Sequence, residues 1–205
     1  MEDINFPTIA KIDIEAPSFD LPFYDPKTDS DGAINSNDLK WKWVVLFFYP
    51  ADFTFVCPTE LKDIAEQEAK FKELWVEVLA ASTDTVFSHR AWVKHERLME
   101  WFPFKMLADH STEVAYVYNL LDEESGISGR GTYIIDPDGI IRSIEVTWDT
   151  LPLGRNSAEL IRKLEALQYM RENPTQACPA RWAVWSKTLT PDIKIAWEVY
   201  EALND

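Results

Sequence analysis

Cys57 lies where a thiol can act as a nucleophile. It follows an apolar run that ends at Pro50 and precedes a stretch with helical spacing. Proline favours the first helical position, so Pro58 predicts a helix start with Cys57 at or next to the cap and Glu60 reaching back to the cap amide. A helix N-terminus stabilises the nucleophilic thiolate. The pattern favours a reactive sulfur, although a free cysteine taken alone is more often a small buried hydrophobe.

The second cysteine, Cys178, lies 178 − 57 = 121 residues further along the chain. This separation excludes a Cys-x-x-Cys redox pair and a zinc knuckle. Two cysteines are also too few for a disulfide framework in a chain of 205 residues. A reducing compartment would keep both as thiols unless they cycle during catalysis.

The elements that must position these thiols follow from hydrophobic periodicity and turn residues. Turn formers fill Asp25–Ala33, which predicts a surface loop or hairpin tip. The remaining pattern predicts, in order, a buried strand at Trp43–Tyr49, a helix over Thr59–Leu74, a strand at Val76–Ala81, a helix with Ala91, Trp92, His95, Leu98 and Met99 on one face, a strand at Lys105–Ala108, a short helix over Ser111–Tyr118, a hairpin of Thr132–Ile135 and Ile140–Val146 around an Asp-Gly turn, and a helix over Ser157–Arg171.

This order is typical of an α/β domain with a mixed central β-sheet flanked by helices, as in thioredoxin-like folds. Beyond about Asn173 the pattern loosens around several prolines. We therefore expect one domain over residues 1–173 and a C-terminal arm over residues 174–205.

Composition limits the partners. A hydrophobic content of 46% is enough for a sizeable core, and the net charge of −15 disfavours nucleic acid and anionic membranes. No apolar run reaches the 18 residues of a membrane span, and the start, Met1-Glu-Asp-Ile4, does not resemble a secretory signal. A cytoplasmic location is expected.

Metal and cofactor patterns are incomplete. The segment from His95 begins like a zinc-protease helix but has Met99 where the second ligand belongs, so His89, His95 and His110 are expected in structural or surface roles. Six scattered glycines form no phosphate-binding loop. We expect no bound cofactor and no metal. Tryptophans are abundant, and Trp92, Trp101 and Trp148 are expected to be packing or interface anchors.

The block Tyr49-Pro-Ala-Asp-Phe-Thr-Phe-Val-Cys-Pro-Thr-Glu-Leu61 resembles the peroxiredoxins. Pro50, Thr54, Cys57 and Pro58 match their Pro-x-x-x-Thr-x-x-Cys signature. The resemblance extends over nearly the whole chain, to Ala177-Cys-Pro-Ala180, and is greatest to the alkyl hydroperoxide reductase C type of typical two-cysteine peroxiredoxin.

This resemblance implies a role for each matching residue. Cys57 would be the peroxidatic cysteine, which attacks a hydroperoxide and becomes a sulfenic acid. Thr54 would place a hydroxyl beside the sulfur and the peroxide, and Pro50 would wall the pocket. Arg130 and Arg155 match the two family arginines that would stabilise the charge on the leaving oxygen. Glu60 would orient both.

The resemblance also makes Cys178 the resolving cysteine, supplied by the partner chain of a homodimer. The first turn after Pro58 would have to open for the intersubunit disulfide to form. The Gly-Gly-Leu-Gly insertion of easily over-oxidised members is missing from His95–Pro103, and so is their C-terminal Tyr-Phe pair. Resistance to over-oxidation is expected, with Tyr200 as the residue that could substitute in part.

A thiol-dependent peroxidase is the first functional interpretation. It would reduce hydrogen peroxide and organic hydroperoxides and would be recycled by a thioredoxin-like protein or a flavin disulfide reductase. The family match places Ser88 and Trp92 at a contact through which dimers form a decamer. The second interpretation is a redox-regulated holdase chaperone or a peroxide-sensing relay protein built from the same ring.

Overall fold

The computed structural model describes residues 7–148, 150 and 152–204. The chain divides into two compact units, Met1–Asn156 and Ser157–Asp205. The boundary predicted at residue 173 falls inside the second unit, and the assignment of domain and arm stays a prediction. The expectation about the chain start concerns residues 1–4, which lie outside the described residues.

A mixed β-sheet forms the centre of the first unit. The strands described there are β1 (Asp20–Asp25), β2 (Ser30–Asn35), β3 (Trp43–Phe48), β4 (Val76–Ser82), β5 (Lys105–Ala108), β6 (Leu121–Asp122), β7 (Ile127–Ser128), β8 (Arg130–Ile135) and β9 (Ile141–Thr147). Seven of these strands form one sheet in the order β2-β1-β5-β4-β3-β8-β9, and β6 pairs with β7 separately. The β3–β4 and β4–β5 pairs are parallel, and the other pairs in the sheet are antiparallel. The predicted mixed sheet is confirmed.

Strand β3 lies inside the sheet between β4 and β8, and its residues suit burial on both faces. All six residues of β3 are buried, as the continuous apolar run predicts. Val44, Leu46 and Phe48 join a core cluster that includes residues of β4, β5 and β8. The strand thus fixes the chain immediately before Pro50.

The Asp-Gly hairpin is confirmed, and the segment predicted as a surface loop or hairpin tip is a hairpin tip between two strands that the sequence analysis did not predict. Strands β1 and β2 pair across the turn-rich segment, with Asp25 opposite Ser30. Strands β8 and β9 pair on either side of the Asp-Gly turn, where Gly139 has φ +81°. Asp136 closes this second turn by accepting hydrogen bonds from the amides of Asp138 (2.9 Å) and Ile140 (3.0 Å).

The helices of the first unit are α1 (Cys57–Ala65), α2 (Glu68–Glu73), α3 (Val86–His95) and α4 (Glu113–Val117), with 3₁₀ segments at Ser36–Leu39 and Arg97–Met99. The prediction of a single helix over Thr59–Leu74 is wrong, because the helix is interrupted between the end of α1 and the start of α2. Ile64 and Phe71 are both buried, so the apolar spacing continues across the break. No helix among the described residues is long and apolar enough to cross a membrane.

The apolar face predicted for α3 is only partly correct. Trp92 is buried, but Ala91 and His95 are exposed, and the buried residue one turn earlier is His89. The helix ends at His95 because Glu96 is extended (φ −88°, ψ 117°). The predicted residues after this point therefore belong to a separate 3₁₀ segment.

The second unit contains α5 (Ser157–Glu172), a 3₁₀ segment at Ile193–Trp197 and α6 (Val199–Asn204). Helix α5 agrees with the predicted helix to within one residue. The chain after it packs back on α5: the rings of Tyr169 and Trp182 are 5.0 Å apart, and Arg162 donates to the Trp182 carbonyl over 3.3 Å. An antiparallel bridge between Ala177 and Leu189 closes the intervening loop.

Candidate active site

Cys57 is the first residue of α1, and its side chain has no exposed area. The cap residue is Val56, so the helix begins one residue before the predicted position and Pro58 is its second residue. The amides of Thr59 and Glu60 donate to the Val56 carbonyl over 3.0 Å and 3.2 Å, and the aligned peptide dipoles of α1 place the positive end of the helix dipole here. The sulfur therefore lies at the end of α1 that favours negative charge.

The carboxylate of Glu60 joins two buried arginines. Its Oε2 accepts from Arg130 Nη1 over 2.6 Å, and its Oε1 accepts from Arg155 Nε over 2.8 Å and from the Arg155 amide over 3.0 Å. The side chains of Glu60, Arg130 and Arg155 are 1%, 2% and 5% exposed. The predicted bond from Glu60 to the cap amide is wrong, since α1 has no side-chain cap. The Glu60 carboxylate instead compensates the charges of two buried arginines, which would be more costly to leave unpaired than an amide at the helix start.

Arg130 links this carboxylate to the sulfur. It begins β8, and its Nη1 lies 3.3 Å from Cys57 Sγ. Burial opposes the charge of the guanidinium, but the hydrogen bond to Cys57 and the charges of Cys57 and Glu60 outweigh burial and raise the pKa of Arg130. The cation is therefore fixed beside the sulfur.

Arg155 is held from three sides. Its Nη1 donates to the Gly131 carbonyl and to Thr132 Oγ1, each over 3.0 Å, and its guanidinium lies 3.4 Å from the centre of the Phe47 ring. Burial lowers the pKa of Arg155, and the Glu60 carboxylate counteracts that effect. Sequence reasoning missed Phe47 as a site residue, because it reads as one more apolar residue of β3.

The loop between β3 and α1 carries the other predicted residues of the pocket. Pro50 is buried, and Thr54 is half-buried. Thr54 Oγ1 donates to the Ala51 carbonyl over 2.8 Å. The hydroxyl hydrogen of Thr54 is therefore used within the loop, and its hydroxyl oxygen can still accept a hydrogen bond.

A buried polar network supports this loop. Asp52 accepts from Tyr49 Oη over 2.8 Å, and its second oxygen lies 2.9 Å from His89 Nδ1. The other ring nitrogen of His89 lies 3.1 Å from the Leu107 carbonyl. The structural role expected for His89 agrees with this placement. Asp52 was missed, although an acidic residue inside an otherwise apolar loop is the signal that could have identified it.

Cys178 is described within the second unit, where it is half-buried. Burial raises the pKa of its thiol, and the nearby charge of Arg162 counteracts that effect. Neither cysteine forms a disulfide in this structure. The structure thus brings Cys57, Glu60, Arg130 and Arg155 together within the first unit.

The two residues predicted at an assembly contact differ in exposure. Trp92 is 1% exposed and packs against Tyr49 and Phe53, with ring centres 5.8 Å and 6.3 Å apart. Ser88 is half-buried on the same helix, and its amide donates to the capping hydroxyl of Thr85. Trp92 therefore supports the loop before Cys57 within its own chain. The decamer contact stays a prediction.

Comparison with known proteins identifies the family. The model of the AhpC/TSA family matches residues 12–144. The chain belongs to this family. Alkyl hydroperoxide reductase C of Staphylococcus epidermidis is 43% identical to it over 183 residues, which cover 87% of this chain and 96% of that protein. The corresponding protein of Bacillus subtilis is 43% identical over 81% of this chain and 88% of its own length.

Solved structures agree with this AhpC/TSA assignment. Enterococcus faecalis AhpC superposes with a TM-score of 0.77 at 38% identity, covering 82% of this chain and 98% of the other. Reduced 2-Cys peroxiredoxin of Plasmodium vivax superposes with a TM-score of 0.87 at 28% identity, covering 93% of this chain and 99% of the other. The predicted thioredoxin-like fold and the resemblance to peroxiredoxins are confirmed.

Proposed function

We propose that Cys57 reduces hydrogen peroxide and organic hydroperoxides and is then resolved by Cys178 of a partner chain. That the chain is a thiol-dependent peroxidase of the peroxiredoxin type follows from its family and its relatives. The observation that carries the proposal is the 3.3 Å contact between Arg130 Nη1 and Cys57 Sγ at the start of α1. A buried thiol beside a fixed cation is suited to nucleophilic attack as a thiolate.

In the first step the Cys57 thiolate attacks one oxygen of the peroxide. A sulfur–oxygen bond forms, the oxygen–oxygen bond breaks, and the electron pair leaves with the second oxygen as hydroxide or alkoxide. A proton converts that anion to water or alcohol, so the peroxide is reduced and Cys57 becomes a sulfenic acid. Arg130 and Arg155, oriented by Glu60, stabilise the charge that develops on the leaving oxygen.

Thr54 and Pro50 complete the proposed pocket. Since the Thr54 hydrogen already bonds to the Ala51 carbonyl, its oxygen accepts a hydrogen bond from the O–H of the peroxide. Pro50 is buried beside the start of the loop and limits access of water to the sulfur. Both roles rest on the family motif together with these placements.

The second step is formation of the disulfide. The Cys178 sulfur of the partner chain attacks the sulfenic sulfur, a sulfur–sulfur bond forms, and the sulfenic oxygen leaves as water. Because Cys57 has no exposed area, the first turn of α1 must open before another thiol can reach it. Without the insertion and the Tyr-Phe pair that slow this opening in sensitive relatives, resistance to over-oxidation is part of the proposal.

Recycling requires a dithiol reductant, either a thioredoxin-like protein or a flavin disulfide reductase. A homodimer that assembles into a decamer, with Ser88 and Trp92 near the contact, is also proposed from the family match. The cytoplasmic location is proposed from the composition, since two cysteines are too few for the disulfide framework of a secreted chain.

The test separates the two cysteines. Cys57→Ser protein is expected to consume no peroxide, whereas Cys178→Ser protein should complete one turnover and then stop, because its sulfenic acid has no resolving partner. Peroxide-treated wild-type protein should run as a covalent dimer on a non-reducing gel. Full peroxide consumption by Cys57→Ser, or a covalent dimer of Cys178→Ser, would contradict the assignment.

The holdase or relay alternative is not favoured, since the relatives are named as reductases. Suppression of client aggregation that survives Cys57→Ser while peroxide reduction is lost would support it as an additional activity.

A further inference from the structure

Four tryptophans adopt a backbone conformation that belongs to glycine. Trp41, Trp75, Trp101 and Trp185 have φ values of +69°, +56°, +69° and +75°. At such angles a side chain brings its Cβ against the carbonyl oxygen, and glycine avoids this contact because it has no Cβ. Tryptophan supplies nine of the 205 residues but four of the ten non-glycine residues with positive φ in the described part of the chain.

Two of these tryptophans lie at the glycine position of a type II turn. Trp41 is the third residue of Leu39–Lys42, which is closed by a 3.2 Å hydrogen bond from its last amide to its first carbonyl. Trp101 is the third residue of Met99–Phe102, which is closed in the same way at 3.0 Å. The residue before the tryptophan has φ −55° and ψ 143° in the first turn, and φ −56° and ψ 123° in the second. Type II turns require positive φ at the third residue and hence favour glycine.

The other two tryptophans occupy equivalent places. Trp75 follows the cap residue of α2, and its amide donates to the Lys72 carbonyl over 3.1 Å. This is the position after a helix where glycine closes the last turn in the left-handed conformation. Trp185 is the third residue of the turn Ala183–Ser186, closed at 2.9 Å.

Burial of the four side chains does not compensate for the unfavourable backbone conformation. Trp41, Trp75, Trp101 and Trp185 are 81%, 86%, 87% and 97% exposed. Trp43, Trp92 and Trp182 are instead 9%, 1% and 2% exposed. Trp101 was expected to be a packing or interface anchor, and within its own chain it packs against little. Trp197 is also exposed, at 93%, but its φ is not positive, so its backbone has no need of glycine.

Composition provides a separate observation. An average chain of this length contains about 14 glycines. This chain contains 6 glycines beside its 9 tryptophans. Too few glycines together with many tryptophans is the composition expected if tryptophan stands at positions where glycine belongs.

We propose that the protein, as its own organism makes it, carries glycine at positions 41, 75, 101 and 185. Genetic codes assign tryptophan to UGG and, in some organisms, also to UGA, while other organisms read UGA differently. A UGA codon decoded as glycine at the four turns, with UGG at the buried tryptophans, accounts for the backbone, the exposure and the composition together. The surface of the native protein then lacks four exposed aromatic rings.

Peptide mass spectrometry of the protein purified from its native organism tests this proposal directly. Peptides that span the four turns are expected to have the mass given by glycine, whereas peptides with Trp43, Trp92 and Trp182 should have the mass given by tryptophan. In the gene, one codon should occur at the four turns and the other at the three buried sites. Tryptophan in the turn peptides, or one codon at all seven positions, would overturn the proposal and return these rings to the surface as candidates for partner binding.

Stability of the recombinant protein provides an independent measurement. Trp75→Gly is expected to raise the unfolding temperature of the chain expressed with tryptophan, because the Cβ contact disappears and the ring is already in water. Trp92→Gly, the matched control at a buried site with ordinary φ, should lower it. A lower unfolding temperature for Trp75→Gly would refute the backbone argument.

Discussion

Replacing Glu60 by glutamine tests how the site holds its two cations. The carboxylate uses both oxygens, Oε2 for Arg130 and Oε1 for Arg155. An amide of the same shape has one oxygen, so in either orientation its NH₂ group faces a guanidinium. Removing one partner of a buried ion pair costs about 3–5 kcal/mol. At roughly 2–4 °C per kcal/mol for a chain of this size, the unfolding temperature should fall by about 6–20 °C.

Thermal unfolding followed by circular dichroism measures this change, and peroxide consumption by stopped flow measures its effect on chemistry. Activity should fall as well, because both arginines lose the group that orients them beside the leaving oxygen. Glu159→Gln is the matched control: its pair with Arg162 is partly exposed to solvent, so its loss should cost less than about 1 kcal/mol. If the two variants unfold within about 2 °C of each other, the buried pair does not hold the site in the way inferred above.

Three further perturbations address the sulfur chemistry and the packing behind it. Arg130→Lys should lower kcat/KM for peroxide by about 10²–10³, because an ammonium cannot donate to Cys57 and Glu60 with the planar geometry of a guanidinium; a loss of less than tenfold would contradict the role of that geometry. The rate of alkylation of Cys178 in Cys57→Ser protein should rise with pH around a midpoint above that of an ordinary thiol, since burial raises the pKa of Cys178; a midpoint at or below that of an ordinary thiol would show that the side chain is open to water. Gly131→Ala places a Cβ 2.4 Å from Leu120 Cδ1 and should destabilise by about 1–3 kcal/mol, whereas Gly154→Ala, with its nearest contact at 3.5 Å, serves as the near-neutral control in urea unfolding.

Local sequence signals predicted the elements that depend on near neighbours. The apolar run of β3, the Asp-Gly hairpin and the helix that begins beside Pro58 each follow from a few adjacent residues. The nucleophile could be predicted for the same reason, because its position depends on one strand end and one helix start.

The partners of Glu60 could not be derived in this way. A carboxylate in the first turn of a helix reads as a capping group, and nothing in its neighbourhood shows that two cations from distant segments arrive beside it. Only the family resemblance indicated that role. The face of α3 was misjudged for a related reason: His89 reads as polar, yet it is buried because Asp52 and the Leu107 carbonyl satisfy its ring nitrogens.

The pairing of β3 with β8 also determines when the site around Cys57 is completed during synthesis. Val44 lies opposite Ile135 in this pair. The strand before Cys57 therefore cannot complete its pairing until a segment about ninety residues further along the chain has been made. A chain made only as far as β7 contains Cys57 and Glu60 but neither Arg130 nor Arg155. The nucleophile and the carboxylate are therefore synthesised first, and the two buried ion pairs form only after the last segment of the first unit has been made.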